Sequence, residues 1–270
     1  MVRKLFKHEL EYYLRSLLPV YIVLGVVALV GRFVMFFEAE TTAYEILQGS
    51  TIFMLMVCCL VTIFLTWLFS ITRFYKNLFS SEGYLTMTLP VTPAQHIWVK
   101  LLGAVIAYVA SCIAIFLAIC LFTIGPWLVE IFKAVSYLFG EFAVESKGHF
   151  GWYLVEMIPM CLVSMASGML VYYLCMCIGQ LAKKNRILAA VGAYFGLYVL
   201  SQICSTVLTV VFSTTNILEP LGEWIVNLTE AQALGWGHGL IWIGTACAAL
   251  GCLVTFLICR WILSRKLNLE

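Results

Sequence analysis

Six long apolar stretches dominate the sequence and restrict what it can fold into. Each has about 20 or more residues, the length that a helix needs to cross a hydrocarbon core of about 30 Å. Charged residues make up only 11% of the 270 residues, against about 25% in ordinary soluble domains. The pattern predicts an all-α, polytopic membrane protein whose residues 1–270 form a single transmembrane domain. The predicted spans are 17–37, 50–72, 97–124, 152–181, 187–212 and 240–263.

The residues before the first span have a different pattern. Residues 1–16 carry apolar side chains at helical spacing, with charged side chains at the other positions. This predicts an N-terminal amphipathic helix that lies in the membrane interface. Pro19 would then fall in the first turn of the first span, where its missing N–H costs little.

A polar loop, 73–96, separates the second and third spans. Its end carries the sequence Thr92-Pro93-Ala94-Gln95. A Thr followed three residues later by Gln is a capping box, and Pro suits the first helical position. The third helix is therefore predicted to begin here.

Basic residues lie mostly on one side of the predicted bundle. All but three of the 16 Lys and Arg residues fall on that side, the exceptions being Arg32, Lys133 and Lys147. The positive-inside rule then places both termini in the cytoplasm, with 73–96 as a cytoplasmic loop.

Two outer segments follow from that orientation, 125–151 and 213–239. The first has an apolar stripe interrupted by Glu130, Lys133 and Glu141. Each charge would cost about 2.5–3.5 kcal/mol near the midplane of a bilayer. Residues 127–143 are therefore predicted to be interfacial or re-entrant and not a seventh span.

Motifs for chemistry on this chain are absent. The sequence has no G-x-x-x-x-G-K-[ST], no H-E-x-x-H and no C-x-x-C, and all 11 Cys lie in apolar runs. Packing is a better explanation for these Cys than metal or redox chemistry. We predict no catalytic residue, no metal site, no cofactor and no nucleic-acid partner. Ion coupling lacks an obvious carrier, because the charges within spans lie only near their ends, at Arg32, Glu156 and Arg260.

Small residues four apart occur in the last two spans. The pairs are Gly192 with Gly196, and Gly244 with Ala248. This spacing lets helix backbones approach closely. Packing within the chain and packing against a second copy of the chain are both open.

The loop carries a more specific sequence. Phe79 to Leu102 contains the run E-G-Y-L-x-x-T-L-P-V, starting at Glu82, with Lys100 opening the next span. This run, together with the six spans and the basic N-terminal helix, resembles membrane subunits of bacterial ABC exporters in the type-2 permease superfamily.

The resemblance implies a permease half-subunit of an exporter. The apolar and aromatic character of the spans favours an amphipathic cargo, such as a peptide, drug or lipid-like molecule. The partners of the half-subunit would be the lipid bilayer, an ABC ATPase that binds ATP and Mg²⁺, and a second permease subunit, identical or homologous. The loop would form a coupling helix on the ATPase, with candidates Lys76, Ser81, Glu82, Gly83 and Tyr84; a plain interfacial loop is the alternative. Other functions left open are an ATPase-independent secondary transporter or channel, and a membrane immunity or regulatory protein.

Overall fold

The structure, a computed structural model, describes residues 2–37, 41–79, 91–146, 148–182, 184–215 and 229–265. They form the helices α1 (Val2–Phe36), α2 (Thr42–Phe79), α3 (Pro93–Thr123), α4 (Pro126–Glu145), α5 (Phe150–Gly179), α6 (Arg186–Thr214) and α7 (Glu230–Arg265). No strand occurs among the described residues. Every helix except α4 is long and apolar enough to cross a membrane. The prediction of an all-α, multi-pass membrane protein with six spans is confirmed, and its orientation stays a prediction.

The first helix is longer than the predicted first span. α1 runs without a break from Val2 to Phe36, so Pro19 lies inside the helix. The expectation that Pro19 occupies a first turn is wrong, because the amphipathic N-terminal turns and the span belong to one helix. The backbone hydrogen bond lost at Pro19 is tolerated between two well-packed segments: Tyr13 and Leu17 precede it and Leu24 follows it, all buried. How residues 1–16 lie relative to a membrane stays a prediction.

The second helix also continues past the predicted span. At about 1.5 Å per residue, the 38 residues of α2 extend roughly 57 Å, well beyond a hydrocarbon core of about 30 Å. Arg73 and Lys76, predicted to lie in the loop, are therefore in the last turns of α2.

The third helix begins where the capping box predicts. Thr92 is the N-cap of α3 and Pro93 its first residue. The Gln95 backbone N–H donates to Thr92 Oγ1 at 3.4 Å, and the Thr92 backbone N–H donates to Gln95 Oε1 at 3.0 Å. Both halves of the box are formed, so the start of α3 is fixed by local sequence.

The segment after α3 forms a helix of its own. Gly125 has a φ of +113°, a conformation that side-chain-bearing residues rarely adopt, and it separates α3 from α4. α4 is not among the candidate spans. This agrees with the three charges that argued against a span at 127–143.

The chain divides into two compact units, Met1–Glu141 and Phe142–Glu270, called here unit 1 and unit 2. In unit 1, α1, α2 and α3 each pack against the other two. In unit 2, α5 packs against both α6 and α7.

An apolar core holds one half of unit 1 together. It consists of the buried residues Leu24, Ala28, Leu55, Ala118 and Phe122, which come from α1, α2 and α3. Outside this core, large apolar side chains are exposed along all six candidate spans, as expected where lipid replaces water as the solvent.

Candidate functional site

A carboxylate of α1 meets polar side chains of α2 and α3 at one end of unit 1. Glu9 Oε1 accepts a hydrogen bond from Lys100 Nζ at 2.9 Å, and Glu9 Oε2 accepts one from Arg73 Nε at 3.2 Å. Asn77 Nδ2 donates to Glu9 Oε1 at 3.3 Å. The side chains of Glu9 and Lys100 are 2% and 4% exposed. These four residues are called the Glu9 cluster.

Local sequence explains how the helices bring this cluster together. Arg73 and Asn77 are four residues apart and therefore lie on one face of α2. Gly103 lies one turn after Lys100, and a Cβ placed there would be 3.2 Å from the Tyr13 ring and 3.6 Å from Glu9 Cβ. The missing side chain at Gly103 lets α1 approach α3 closely beside the cluster.

The cluster is a buried ion network rather than a surface salt bridge. Two cations share one carboxylate, and the Arg73 guanidinium also stacks on the Tyr12 ring, 4.2 Å from its centroid. Buried charges cost free energy unless several well-aligned hydrogen bonds compensate them. Glu9 receives three, so the arrangement fixes the relative positions of α1, α2 and α3.

His96 lies four residues before Lys100 on α3 and is 1% exposed. Neither of its ring nitrogens has a hydrogen-bond partner among the described residues. A buried polar group without a partner costs roughly 1–3 kcal/mol. Within the described part of the chain, the His96 ring therefore makes no hydrogen bond that offsets its burial.

A second polar contact joins the same three helices further along unit 1. Ser111 Oγ of α3 is 2.7 Å from Thr66 Oγ1 of α2 and 2.8 Å from Tyr21 Oη of α1. Thr62, Thr66 and Ser70 are fully buried on one face of α2. Hydrogen bonds between helices stabilise bundles in lipid, so unit 1 is held by polar contacts at two levels.

The predicted coupling residues lie between Arg73 and Lys100 in the sequence. Lys76 is exposed in the last turn of α2. Ser81, Glu82, Gly83 and Tyr84 lie outside the described residues. The loop that contains them joins α2, which carries Arg73 and Asn77, to α3, which carries Lys100. Glu9 was not predicted as a site residue, because its pattern in residues 1–16 is that of one charged position on an interfacial helix.

The predicted packing glycines are not at close contacts within the described chain. A Cβ placed at Gly192, Gly196 or Gly244 would have no atom within 4 Å outside its own helix turn, among the residues that the structure describes. Ala248 is half-buried. Packing against a second copy through these residues stays a prediction.

Unit 2 contains a separate polar cluster between α5 and α7. Glu156 Oε2 lies 2.7 Å from His238 Nδ1, and Glu156 Oε1 accepts a hydrogen bond from Trp242 Nε1 at 3.1 Å. His149 Nδ1 lies 3.2 Å from His238 Nε2. Tyr153 stacks on the His238 ring at 4.1 Å between centroids. These five residues are called the Glu156 cluster.

Hydrogen-bond chemistry assigns roles within the Glu156 cluster. An ionised carboxylate only accepts, so His238 Nδ1–H donates to Glu156. In the neutral ring, His238 Nε2 then accepts from His149 Nδ1–H. The exposed His149 is thereby connected to the half-buried Glu156 through two imidazole contacts, an arrangement that can orient side chains or pass a proton.

Replacing Trp242 by Phe is expected to lower the stability of unit 2 by about 1 kcal/mol. The change removes the indole N–H donated to Glu156 but keeps an aromatic ring, and one such hydrogen bond contributes roughly 0.5–1.5 kcal/mol. Thermal unfolding of the purified chain measures the effect. Trp152→Phe is the control, because Trp152 is an exposed residue of α5 outside the cluster. An equal loss in both variants would contradict a stabilising contact at Trp242.

The chain matches no protein-family model, and no curated protein or solved structure is significantly similar to it.

Proposed function

We propose that the chain is the permease half-subunit of an ATP-driven exporter in the cytoplasmic membrane. It would work with a separate ABC ATPase, which binds ATP and Mg²⁺, and with a second permease subunit. The cargo would be amphipathic, such as a peptide, drug or lipid-like molecule, in keeping with spans that are largely apolar and aromatic. The exporter-like loop sequence from Glu82 to Val91 and the six apolar helices support this proposal.

The observation that carries the proposal is the position of the Glu9 cluster. Arg73 and Asn77 lie within two turns of the end of α2, and Lys100 lies two turns into α3. All three donate to the same carboxylate of α1. The proposed coupling loop is thus held at both ends by one buried ion network.

This arrangement suits the transmission of force from a soluble partner. When an ATPase displaces the loop, the adjoining ends of α2 and α3 move, and α1 follows because Glu9 connects it to both. The helices would then switch between two arrangements. Transport additionally requires that the cargo bind these two arrangements with different affinity.

Co-purification from native membranes tests the proposal. The full chain is tagged, extracted in a mild detergent and analysed by quantitative mass spectrometry. We expect an ABC ATPase at about one copy per permease chain, as the two-plus-two assembly requires. Reproducible recovery of the chain alone in several detergents would contradict an ATPase-coupled function.

A loop variant tests where the ATPase docks. Replacing Glu82 and Tyr84 together by Ala is expected to reduce ATPase recovery about tenfold, because truncation of central contact residues typically costs 1 kcal/mol or more. Membrane insertion should stay normal. The control is Lys184→Ala, in the other predicted cytoplasmic turn between α5 and α6. Unchanged recovery in the double variant would mean that the docking surface lies elsewhere.

An ion-coupled transporter is the second candidate function. The Glu156 cluster favours it, since a carboxylate paired with histidine inside candidate spans is a group that can carry protons. That function predicts uptake or release driven by a pH gradient in liposomes that contain only this chain. Loss of such transport in Glu156→Gln would support this function. Transport that requires a co-purified ATPase would rule it out.

A further inference from the structure

A polar cleft lies beside the Glu9 cluster, where α1 and α2 meet. It has a volume of about 350 Å³ and is lined by His8, Glu11, Tyr12, Arg15 and Arg73. Pockets for small ligands have volumes of roughly 300–1,000 Å³. The cleft is therefore large enough for a small charged group.

The two carboxylates near the cleft are already engaged by cations. Glu11 lies 3.7 Å from Lys7 Nζ and 3.3 Å from His8 Nδ1. Glu9 is bonded to Arg73 and to Lys100.

The balance of charge around the cleft is positive. Arg15 lies one turn beyond Glu11 on α1 and adds an exposed guanidinium. The cleft lining contains two guanidinium groups, of Arg15 and Arg73, and one carboxylate, of Glu11, which gives a net charge of +1 with His8 neutral. An anion is the complementary ligand.

The Arg73 guanidinium is held in place before any ligand arrives. Its Nε donates to Glu9, its plane stacks on Tyr12 and the side chain lines the cleft. Guanidinium groups match the geometry of phosphate oxygens, and a fixed guanidinium loses less entropy on binding than a mobile one.

The predicted spans place the cleft at the level of the lipid headgroups. Both α1 and α2, with 35 and 38 residues, are longer than the roughly 20 residues that cross a hydrocarbon core. The cleft is formed by residues of their polar ends, which carry the basic residues assigned to the cytoplasmic side. Acidic phospholipids bind such basic sites at the inner surface of membranes.

We propose that this cleft binds a phosphate group between Arg15 and Arg73, carried by an acidic phospholipid or by a soluble phosphate compound. The ligand would bridge α1 and α2 next to the Glu9 cluster and stabilise the arrangement seen here. The proposal does not depend on an ATPase partner, because it concerns a site contained in this chain.

The lipid arm of the test uses the purified full chain in nanodiscs of phosphatidylcholine with increasing fractions of phosphatidylglycerol. Thermal unfolding and native mass spectrometry report stabilisation and retained lipid. We expect wild type to be stabilised by phosphatidylglycerol and to retain it. Arg15→Gln should weaken the affinity of the chain for phosphatidylglycerol about tenfold, because charge-assisted hydrogen bonds are lost. Arg3→Gln, which removes an exposed cation of α1 outside the cleft, should respond like wild type.

The soluble arm uses pure phosphatidylcholine nanodiscs titrated with inorganic phosphate or with chloride at the same ionic strength. Stabilisation by phosphate that Arg15→Gln loses would identify a soluble phosphate as ligand, whereas a response confined to phosphatidylglycerol would identify the lipid. Two results would overturn the proposal: equal loss in Arg3→Gln and Arg15→Gln, which indicates general surface attraction, or no preference of wild type in either arm. Because no ATPase is present, these results are independent of the co-purification experiment.

Discussion

Replacing Glu9 by Gln is expected to destabilise unit 1 by about 3–5 kcal/mol, the cost of removing one member of a buried ion pair. The substituted side chain would keep the size of the original but lack the charge that compensates Arg73 and Lys100. Both cations would then face a neutral amide at one end of the three-helix unit. Chemical unfolding of the purified chain in mixed micelles, followed by far-UV circular dichroism, measures the change.

Glu11→Gln is the matched control. Glu11 lies two residues away on the same helix, but its side chain is 53% exposed and pairs with Lys7 and His8. Surface ion pairs contribute about 0–1 kcal/mol, so this variant should unfold almost like wild type. Similar small losses in both variants would show that the Glu9 cluster does not hold the helices together.

A double variant separates stability from coupling. Replacing Glu9 by Leu and Lys100 by Met removes both members of the closest pair, and apolar replacements of buried pairs are often tolerated better than the loss of one partner. We therefore expect it to be more stable than Glu9→Gln. Under the proposed function, it should still recover the ATPase but show weaker stimulation of ATP hydrolysis by cargo. A stable double variant with normal stimulation would limit the cluster to a structural role.

The fold was predictable because hydropathy and helix-start chemistry are local properties. Long runs of apolar residues require helices in a membrane, since every backbone hydrogen bond must be satisfied within the segment. The capping box at Thr92 fixed the start of α3 from four residues alone. The charges at Glu130, Lys133 and Glu141 likewise separated α4 from the spanning helices.

Helix ends were less predictable, because a helix does not stop where the hydrocarbon stops. α2 begins at Thr42 and ends at Phe79, although its apolar run covers only 50–72. The extra turns satisfy their own backbone hydrogen bonds and pack against neighbours, so hydropathy places the span but not the end of the helix. Arg73 and Lys76 lie in these extra turns, after the apolar run ends, and were therefore predicted to be in a loop.

The Glu9 cluster was not predictable from charge alone, because its burial depends on which helices meet. One signal was available in the sequence. The buried residues of α1 are Glu9, Tyr13, Leu17, Leu24, Ala28 and Gly31, which follow one another at intervals of three, four or seven residues. Had residues 1–16 been treated as part of the same helix as the span, Glu9 would have fallen on its buried stripe.

A second substitution with a large expected effect on stability is at Gly179, where the turn between α5 and α6 begins. α5 ends there and α6 begins at Arg186, after Asn185 in the left-handed conformation (φ +53°). A Cβ at Gly179 would lie 2.6 Å from Ala190 Cβ, 2.7 Å from the Arg186 carbonyl oxygen and 2.8 Å from the Ala190 backbone nitrogen. Two of these atoms belong to the backbone, so no rotamer change can relieve the overlap.

Gly179→Ala is therefore expected to destabilise unit 2 by about 1–3 kcal/mol, the usual cost of overpacking. Gly168→Ala is the control on the same helix, because a Cβ there meets no atom within 4 Å. Replacing a helical glycine by alanine without overlap stabilises by roughly 0.5–1 kcal/mol, so the two variants should shift in opposite directions. Unfolding midpoints in the same micelles measure both. If Gly179→Ala were as stable as Gly168→Ala, α6 would have to pack against α5 less closely than the structure places it.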